Sequence, residues 1–278
     1  FGIFWFFVTL SVESTIIPLP MVINEYRLYL PSAGVVIIFG YLLNLGHEKL
    51  KKTSNFAAIL SIFVLISALV FGTYSRNKAY QDETSLWQDT AEKSPGKARV
   101  HYNLGLAYSK NGLYETSIGH YLKAIRLRPD MLIAHNNLGR AYYETGQNEK
   151  AIEEFGAVLS LDPEHVDGHY NIGTAYVSIG EIERGIEHLN HAVRLRPGHA
   201  EAYNNLGNTY KIKGDYERAI ENYLSALRFK PDYADAHFNL GLAYLKAGLR
   251  EDSIKEMERA LEINPEHDKA KRMLQDIR

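Results

Sequence analysis

The chain has 278 residues, of which 31 are basic and 33 acidic, and its formal net charge at pH 7 is −2. This balance excludes the basic field that would hold a nucleic-acid backbone, so we expect no nucleic-acid partner. The absence of cysteine excludes disulfide bonds, catalytic thiolates and cysteine-ligated metal ions.

Membrane-spanning helices are predicted in the first part of the chain. Three apolar segments lie at about residues 1–12, 28–46 and 56–74, and a helix needs roughly 20 apolar residues to cross the hydrocarbon core. The third segment has no charged residue and lacks the polar stripe of a helix on a soluble protein. Because the chain begins inside the first apolar segment, we expect residues 1–75 to be the C-terminal fragment of a longer, multi-spanning membrane domain.

The orientation of these spans is predicted from basic residues in the loops. Lys49, Lys51 and Lys52 lie between the second and third spans, whereas the loop before the second span holds only Arg27. Basic residues concentrate in the cytoplasmic loops of membrane proteins. We therefore expect residues 47–55 to face the cytoplasm and everything after the third span to lie outside it, in a periplasmic or lumenal space.

Prolines, glycines and tyrosines recur every 34 residues after the last apolar segment. The proline column is Pro95, Pro129, Pro163, Pro197, Pro231 and Pro265, and parallel columns begin at Gly105 and Tyr108. This period is typical of the tetratricopeptide repeat, a helix–turn–helix unit that stacks into a solenoid. Since proline cannot continue a helix, it ends the second helix of each unit at a constant length.

The period predicts an all-α fold, in which transmembrane helices are followed by a right-handed superhelix of repeats. Five repeats are expected at residues 98–131, 132–165, 166–199, 200–233 and 234–267. Residues 76–97 would connect the membrane part to the repeats and cap the first repeat, with a helix at 78–94. Trp87 precedes Pro95 in the same way that a large apolar residue of the second helix precedes each later proline. Residues 268–278 would form a C-terminal capping helix that shields the last repeat from water.

One asparagine in every repeat is the main candidate for ligand binding. The column is Asn103, Asn137, Asn171, Asn205 and Asn239; its neighbours, expected to add stacking and apolar contact, are Tyr102, Asn136, Tyr170, Asn204 and Phe238. Amides donate and accept hydrogen bonds, so a ladder of them on the concave side can pair with the backbone of an extended polypeptide. The ladder resembles that of the O-GlcNAc transferases, whose repeats hold substrate polypeptides in this way. The alternative is that these amides steady neighbouring helices by hydrogen bonding.

Histidine also forms a column, which comprises His101, His135, His169 and His237. Packed helices stand roughly 8–10 Å apart, whereas ligand nitrogens must lie about 2 Å from one ion, so we expect no metal site shared between repeats. These rings are expected to replace the aromatic residue usual at this position. The alternative place for an ion is His188 and His191, three residues apart on one helix.

The chain contains no phosphate-binding glycine loop, nucleophile elbow or metalloprotease motif. Paired carboxylates such as Glu153 and Glu154 are expected on solvated helix faces. We therefore predict no catalytic residue, no cofactor and no metal ion in this chain.

The segment before the second predicted span resembles a known membrane family. Its sequence EYRLYLPS starts at Glu25, follows IPLP and precedes an apolar segment. Together with the junction DETSLWQDTAEKSPGKARVHYNLGLAY, it is similar to the transmembrane and tetratricopeptide-repeat-containing O-mannosyltransferases and their bacterial relatives. The resemblance implies a polyprenyl-phosphate-sugar donor, repeats outside the cytoplasm, and acidic catalytic residues in a loop upstream of Phe1.

The same resemblance implies that Glu25, Arg27 and Tyr29 contact the lipid phosphate of the donor, since a guanidinium binds phosphate through paired hydrogen bonds. The alternative is that Arg27 pairs with Glu25 or Glu13 and holds the loop at the membrane interface. For the whole chain, two hypotheses follow. The first is a membrane-anchored module that binds extended polypeptides outside the cytoplasm for a protein O-glycosyltransferase. The second is a non-enzymatic, membrane-tethered scaffold for assembling protein complexes.

Overall fold

The computed structural model describes residues 82–277, which form twelve α-helices and no strand. They are α1 (Glu83–Lys93), α2 (Ala98–Lys110), α3 (Tyr114–Leu127), α4 (Leu132–Glu144), α5 (Asn148–Leu161), α6 (Val166–Ser178), α7 (Ile182–Leu195), α8 (Ala200–Lys213), α9 (Tyr216–Phe229), α10 (Ala234–Lys246), α11 (Arg250–Ile263) and α12 (Asp268–Ile277). The helices α2 to α11 pair as five helix–turn–helix repeats. The all-α repeat solenoid predicted from the spacing is therefore confirmed for this part of the chain.

The three predicted membrane spans, and with them Glu25, Arg27 and Tyr29, lie outside the described residues. Of the twelve helices in residues 82–277, none is long and apolar enough to span a membrane.

The helix ahead of the first repeat begins at Glu83, five residues later than the predicted start at residue 78. Asp82 has an extended backbone, and its carboxylate accepts a hydrogen bond from the backbone N–H of Ser85 at 2.7 Å. Such a side-chain cap marks the start of a helix. Trp87 on this helix is half-buried, whereas its counterpart Tyr121 is fully buried, because among the described helices only α2 packs substantially against α1.

Within each repeat, a glycine in the first helix lets a large side chain of the second helix approach the backbone. At Gly207, a Cβ atom would stand 2.5 Å from Cε1 of Tyr223, closer than real Cβ contacts come. The large residues at this crossing are almost without solvent exposure: Tyr121, Phe155, Leu189, Tyr223 and Met257. This crossing sets the distance between the two helices of each repeat.

The first helices of the repeats line the inner side of the solenoid. Successive members of the series α2, α4, α6, α8 and α10 contact one another, whereas no comparable contact joins the second helices. Closer approach on one side means that the stack curves toward the first helices. Side chains on this side form the inner face, which runs along all five repeats.

The last repeat is closed by α12. Ala270, Leu274 and Ile277 on this helix are buried, with Leu274 and Ile277 packed against Met257 of α11. The guanidinium of Arg250 donates a hydrogen bond through Nε to the carbonyl oxygen of Ile277 at 2.8 Å. Apolar and polar contacts together hold the cap over the end of the stack.

Candidate functional site

The asparagine ladder links each repeat to the one before it. In four repeats, the amide Nδ2 donates a hydrogen bond to the residue 35 positions earlier in the chain. The bonds join Asn137 to the Tyr102 hydroxyl (3.0 Å), Asn171 to Asn136 Oδ1 (3.0 Å), Asn205 to the Tyr170 hydroxyl (3.1 Å), and Asn239 to Asn204 Oδ1 (3.1 Å). Four residues of the predicted Asn column are therefore brought together with four of the predicted neighbours, as donors and acceptors of separate hydrogen bonds.

These bonds are of the kind expected if the amides steady neighbouring helices. Each amide has a second N–H and a carbonyl oxygen, however, and all five asparagines of the column are half-buried, with part of the side chain exposed. In Asn137, Asn171 and Asn239 one N–H thus joins the repeats, while the rest of the amide remains available to a ligand on the inner face. In Asn205 the nitrogen also donates to the Thr174 hydroxyl at 3.1 Å, which leaves the carbonyl oxygen. The first member, Asn103, belongs to the first repeat and has no earlier repeat among the described residues to bond.

The aromatic residues beside the ladder differ in how much they offer to a ligand. Tyr102 and Phe238 are each only 9% exposed, because they pack into hydrophobic clusters between the helices. The expected stacking surface is therefore largely missing at these two positions. Tyr170 is half-buried and keeps part of its surface exposed. Burial raises the pKa of Tyr170, and the hydrogen bond from Asn205 acts in the opposite direction.

A pocket of about 200 Å³ opens on the inner face between the second and third repeats. It is lined by Arg140, Tyr143, Glu144, Phe155, Tyr170, Asn171 and Thr174. Two of these, Tyr170 and Asn171, belong to the predicted binding residues. Two aromatic rings from the first helices, a guanidinium, a carboxylate and an amide in one pocket can bind a polar side chain together with a stretch of peptide backbone.

Arg140 is the pocket residue that sequence reasoning missed. It is exposed and forms no ion pair within residues 82–277. Its positive charge counteracts the burial that raises the pKa of Tyr170, so the guanidinium lies close enough to influence the opposite wall. A signal was present in the sequence, because the equivalent residues of the other repeats are uncharged: Leu106, Thr174, Asn208 and Leu242.

The histidine column has a structural role in the turn between repeats. In all four cases Nε2 lies 2.9–3.0 Å from the carbonyl oxygen of the proline six residues earlier. The other side of each ring contacts the residue 19 positions later in the chain, on the second helix of the same repeat. These pairs are His101 with His120, His135 with Glu154, His169 with His188, and His237 with Glu256.

The pair His188 and His191, the alternative place for an ion, is engaged with a third histidine. Nδ1 of His188 lies 3.0 Å from Nδ1 of His169, and the ring of His191 stacks on that of His169 with centroids 4.8 Å apart. Within residues 82–277, no group of three or more histidine or acidic residues has the geometry to hold a metal ion.

Comparisons with known proteins agree with this architecture. Models described as tetratricopeptide repeat match residues 98–131, 166–199, 188–221 and 234–267, and a model described as TPR repeat matches residues 139–180 and 207–248.

Two curated relatives are protein O-mannosyl-transferases. The one from Caenorhabditis elegans is 37% identical over 83 residues, and the one from Mus musculus is 38% identical over 86 residues. In both cases the match spans 30% of this chain and only 11% of the relative.

Solved structures share the fold. A crystal structure of MamA is 29% identical and covers 62% of this chain and 94% of its own, with a TM-score of 0.54. A crystal structure of YrrB, described as a TPR protein with an unusual peptide-binding site, is 23% identical and covers 68% of this chain and 97% of its own, with a TM-score of 0.53.

Proposed function

Over residues 98–267 the chain belongs to the tetratricopeptide-repeat family, and we propose that it binds extended polypeptides along the inner face of its repeats. The observation that carries this proposal is the pocket between the second and third repeats, where the ladder residue Asn171 meets Tyr143, Tyr170 and two charged groups. A protein-binding role is general among such solenoids, and an inner face with both amides and aromatic rings suits a peptide ligand.

The ladder matches the backbone of an extended chain in its chemistry and its spacing. Each amide has a carbonyl oxygen without a hydrogen-bond partner in the described structure, and each except Asn205, which also donates to the Thr174 hydroxyl, has an N–H to spare. A peptide backbone presents one donor and one acceptor per residue. Helices of adjacent repeats stand roughly 8–10 Å apart, and an extended chain rises about 3.4 Å per residue. About three peptide residues would therefore span one repeat, and about 12–15 residues would span the inner face.

We extend the proposal to the rest of the chain. Residues 1–75 would anchor it in a membrane, the repeats would lie outside the cytoplasm, and the whole would be the C-terminal part of a polyprenyl-phosphate-sugar-dependent protein O-glycosyltransferase. The similarity to two protein O-mannosyl-transferases supports this assignment. Glu25, Arg27 and Tyr29 would contact the donor phosphate, and the inner face would hold the polypeptide to be glycosylated.

Peptide binding is tested with the purified 278-residue chain and a fluorescein-labelled pool of random peptides of about 12 residues. Fluorescence anisotropy should show weaker binding when Asn137, Asn171 and Asn205 are all replaced by alanine, while circular dichroism shows that helical content survives. A matched control replaces Asn148, Asn190 and Asn222, which lie on second helices, and should bind as the parent does. Equal affinity of the ladder variant and the parent would contradict the proposal.

Membrane topology is tested with single cysteines, since the natural chain has none. In intact cells, an impermeant thiol reagent should label Glu149→Cys in the repeats and spare Lys52→Cys in the predicted cytoplasmic loop. The reverse pattern would place the repeats in the cytoplasm and count against the glycosyltransferase assignment. If the gene encodes no acidic catalytic loop upstream of Phe1, the hypothesis of a non-enzymatic scaffold would be favoured instead.

A further inference from the structure

We propose that the pocket between α4 and α6 selects polypeptides that carry an acidic side chain, whose carboxylate binds the guanidinium of Arg140. This inference rests on the proposed function, because it assigns the side-chain preference of a peptide held along the inner face. The acidic residue would enter the pocket while the peptide backbone pairs with Asn171 at the same place.

The guanidinium of Arg140 has no ion-pair partner within the described structure. Acidic residues in the first turns of the first helices are paired, for example Asp167 with Arg196 at 3.3 Å and Glu201 with Lys230 at 3.0 Å. Arg140 forms no ion pair or hydrogen bond with any residue of the described part of the chain, although Glu144 stands one turn further along α4. A guanidinium in a partly enclosed pocket binds a carboxylate through two parallel hydrogen bonds.

Basic side chains without an ion pair also lie toward the C-terminal ends of other first helices. Lys211 and Lys246 lie in the last turns of α8 and α10, and Arg140 lies one turn before the end of α4. None of the three forms an ion pair among residues 82–277, and Glu144 is the one acidic residue in the last turns of these three helices. Lys110, at a similar position in the first repeat, is already paired with Glu83 at 2.7 Å. Toward these helix ends the basic side chains without an ion pair therefore outnumber the acidic one, although the whole chain has a net charge of −2. This local excess favours an acidic partner.

The walls of the pocket suit a carboxylate on a short apolar stem. The rings of Tyr143 and Tyr170 and the edge of Phe155 can pack against methylene groups, while Asn171 supplies an amide at the rim. Glu144 would repel a second acidic side chain in the same pocket. We therefore expect one acidic residue at this point of the bound peptide rather than an acidic run.

The test compares three fluorescein-labelled peptide pools of about 12 residues that share a random, neutral background. The central residue is Glu in the first pool, Gln in the second and Lys in the third. With the 278-residue chain, fluorescence anisotropy should show the Glu pool binding about three- to tenfold more tightly than the Gln pool, the range expected for one partly shielded ion pair. The preference should weaken as salt is added.

Variants separate this effect from general charge. Arg140→Gln should remove the preference, and Arg140→Glu should make the Lys pool the tightest of the three. The matched control is Arg126→Gln, which removes the same charge from an exposed position on the second helix α3 and should keep the preference. Circular dichroism and thermal melting establish that each variant is folded.

The outcomes are distinct. If the parent chain binds the Glu, Gln and Lys pools equally, or if Arg126→Gln loses the preference as Arg140→Gln does, the inference is overturned and the proposed function stands. If no pool binds the parent chain, the proposed function fails and the inference falls with it. Loss of the preference in Arg140→Gln alone supports the inference.

Discussion

Nδ1 of His169 lies 3.0 Å from Nδ1 of His188, so the two imidazoles are hydrogen-bonded to each other in the third repeat. Nε2 of His169 lies 3.0 Å from the carbonyl oxygen of Pro163 and must donate to it, which leaves Nδ1 of the neutral ring as an acceptor. His188 then donates from its own Nδ1. In the second and fifth repeats the equivalent partner is a carboxylate, Glu154 or Glu256, at 2.6 Å.

The histidine pair predicts an acid-sensitive third repeat. Burial, and then the neighbouring His169, lower the pKa of His188 from its usual 6.5, and His191 and Arg184 act in the same direction while Glu187 opposes them. As the pH falls below 6.5, His188 takes up a proton more readily in the unfolded chain than in the folded chain. The contribution of neutral His188 to the free energy of unfolding is therefore present above its usual pKa and is lost as the pH falls through the lowered pKa. The parent chain should therefore melt at a lower temperature at about pH 5 than at about pH 7.5.

The substitution His188→Glu should reduce that acid sensitivity. It recreates the histidine–carboxylate pair that His135 and Glu154 form in the second repeat, and it removes the imidazole whose pKa is lowered by burial and by His169. Thermal melting followed by circular dichroism at the two pH values checks this. If the melting temperature of the variant falls between the two pH values by as much as that of the parent chain, the pair of His169 and His188 is not the source of the acid sensitivity.

The fifth repeat should respond to pH in the opposite sense. Burial lowers the pKa of His237, but its hydrogen bonds to Glu256 and to the carbonyl oxygen of Pro231 outweigh burial and raise it above 6.5. A raised pKa contributes stability that is fully present below the unfolded value and is lost as pH rises through the folded value. Glu256→Gln should therefore lower the free energy of unfolding more at about pH 5.5 than at about pH 9.

Urea unfolding of the Glu256→Gln variant at both pH values measures this difference. The matched control is Glu251→Gln, at an exposed position on the same helix, which should change the free energy of unfolding little at either pH. An equal loss at the two pH values in Glu256→Gln would mean that the pair with His237 is not its source.

The asparagine ladder should stabilise the stack as well as bind ligand. Asn171→Ala removes the hydrogen bond to Asn136 and should lower the free energy of unfolding by about 1 kcal/mol. Asn190→Ala, on the second helix of the same repeat, makes the same change at a side chain without a hydrogen bond in the described structure. Urea unfolding should therefore separate the two variants, and similar free energies for both would show that the inter-repeat bond contributes nothing.

The glycine at the helix crossing should not tolerate a methyl group. Gly207→Ala places a Cβ atom 2.5 Å from the fully buried Tyr223 and should cost about 1–3 kcal/mol in the free energy of unfolding. Gly156→Ala, inside α5, meets nothing within 4 Å and should stabilise the helix by about 0.5–1 kcal/mol. Denaturant unfolding of the two variants should give changes of opposite sign; a loss in both would mean that open space at Gly156 is not maintained in solution.

The helix pairs and their order could be predicted from the sequence because each repeat is a local unit. Proline, glycine and large apolar residues at a constant spacing place the helix ends and the crossing without knowledge of the neighbours. The start of α1 was predicted too early, because the prediction assumed that this helix follows the same spacing as the second helices of the repeats. The helix begins at Glu83 instead, because the side chain of Asp82 caps it there. Arg140 was missed because the predicted binding residues were those of a type that recurs in every repeat, and Arg140 has no charged equivalent in the other repeats.

The sequence alone determined the repeat, its length, the asparagine and histidine columns, and the small residues at the crossings, because these depend on contacts within one helix pair. Only the tertiary structure decided which groups meet across repeats. It joins Asn171 to Asn136, turns Tyr102 and Phe238 into the core, and leaves Arg140 unpaired in a pocket between two repeats. Those relations depend on how far each repeat is rotated on its neighbour, a quantity set by packing between helices and absent from the linear spacing of residues.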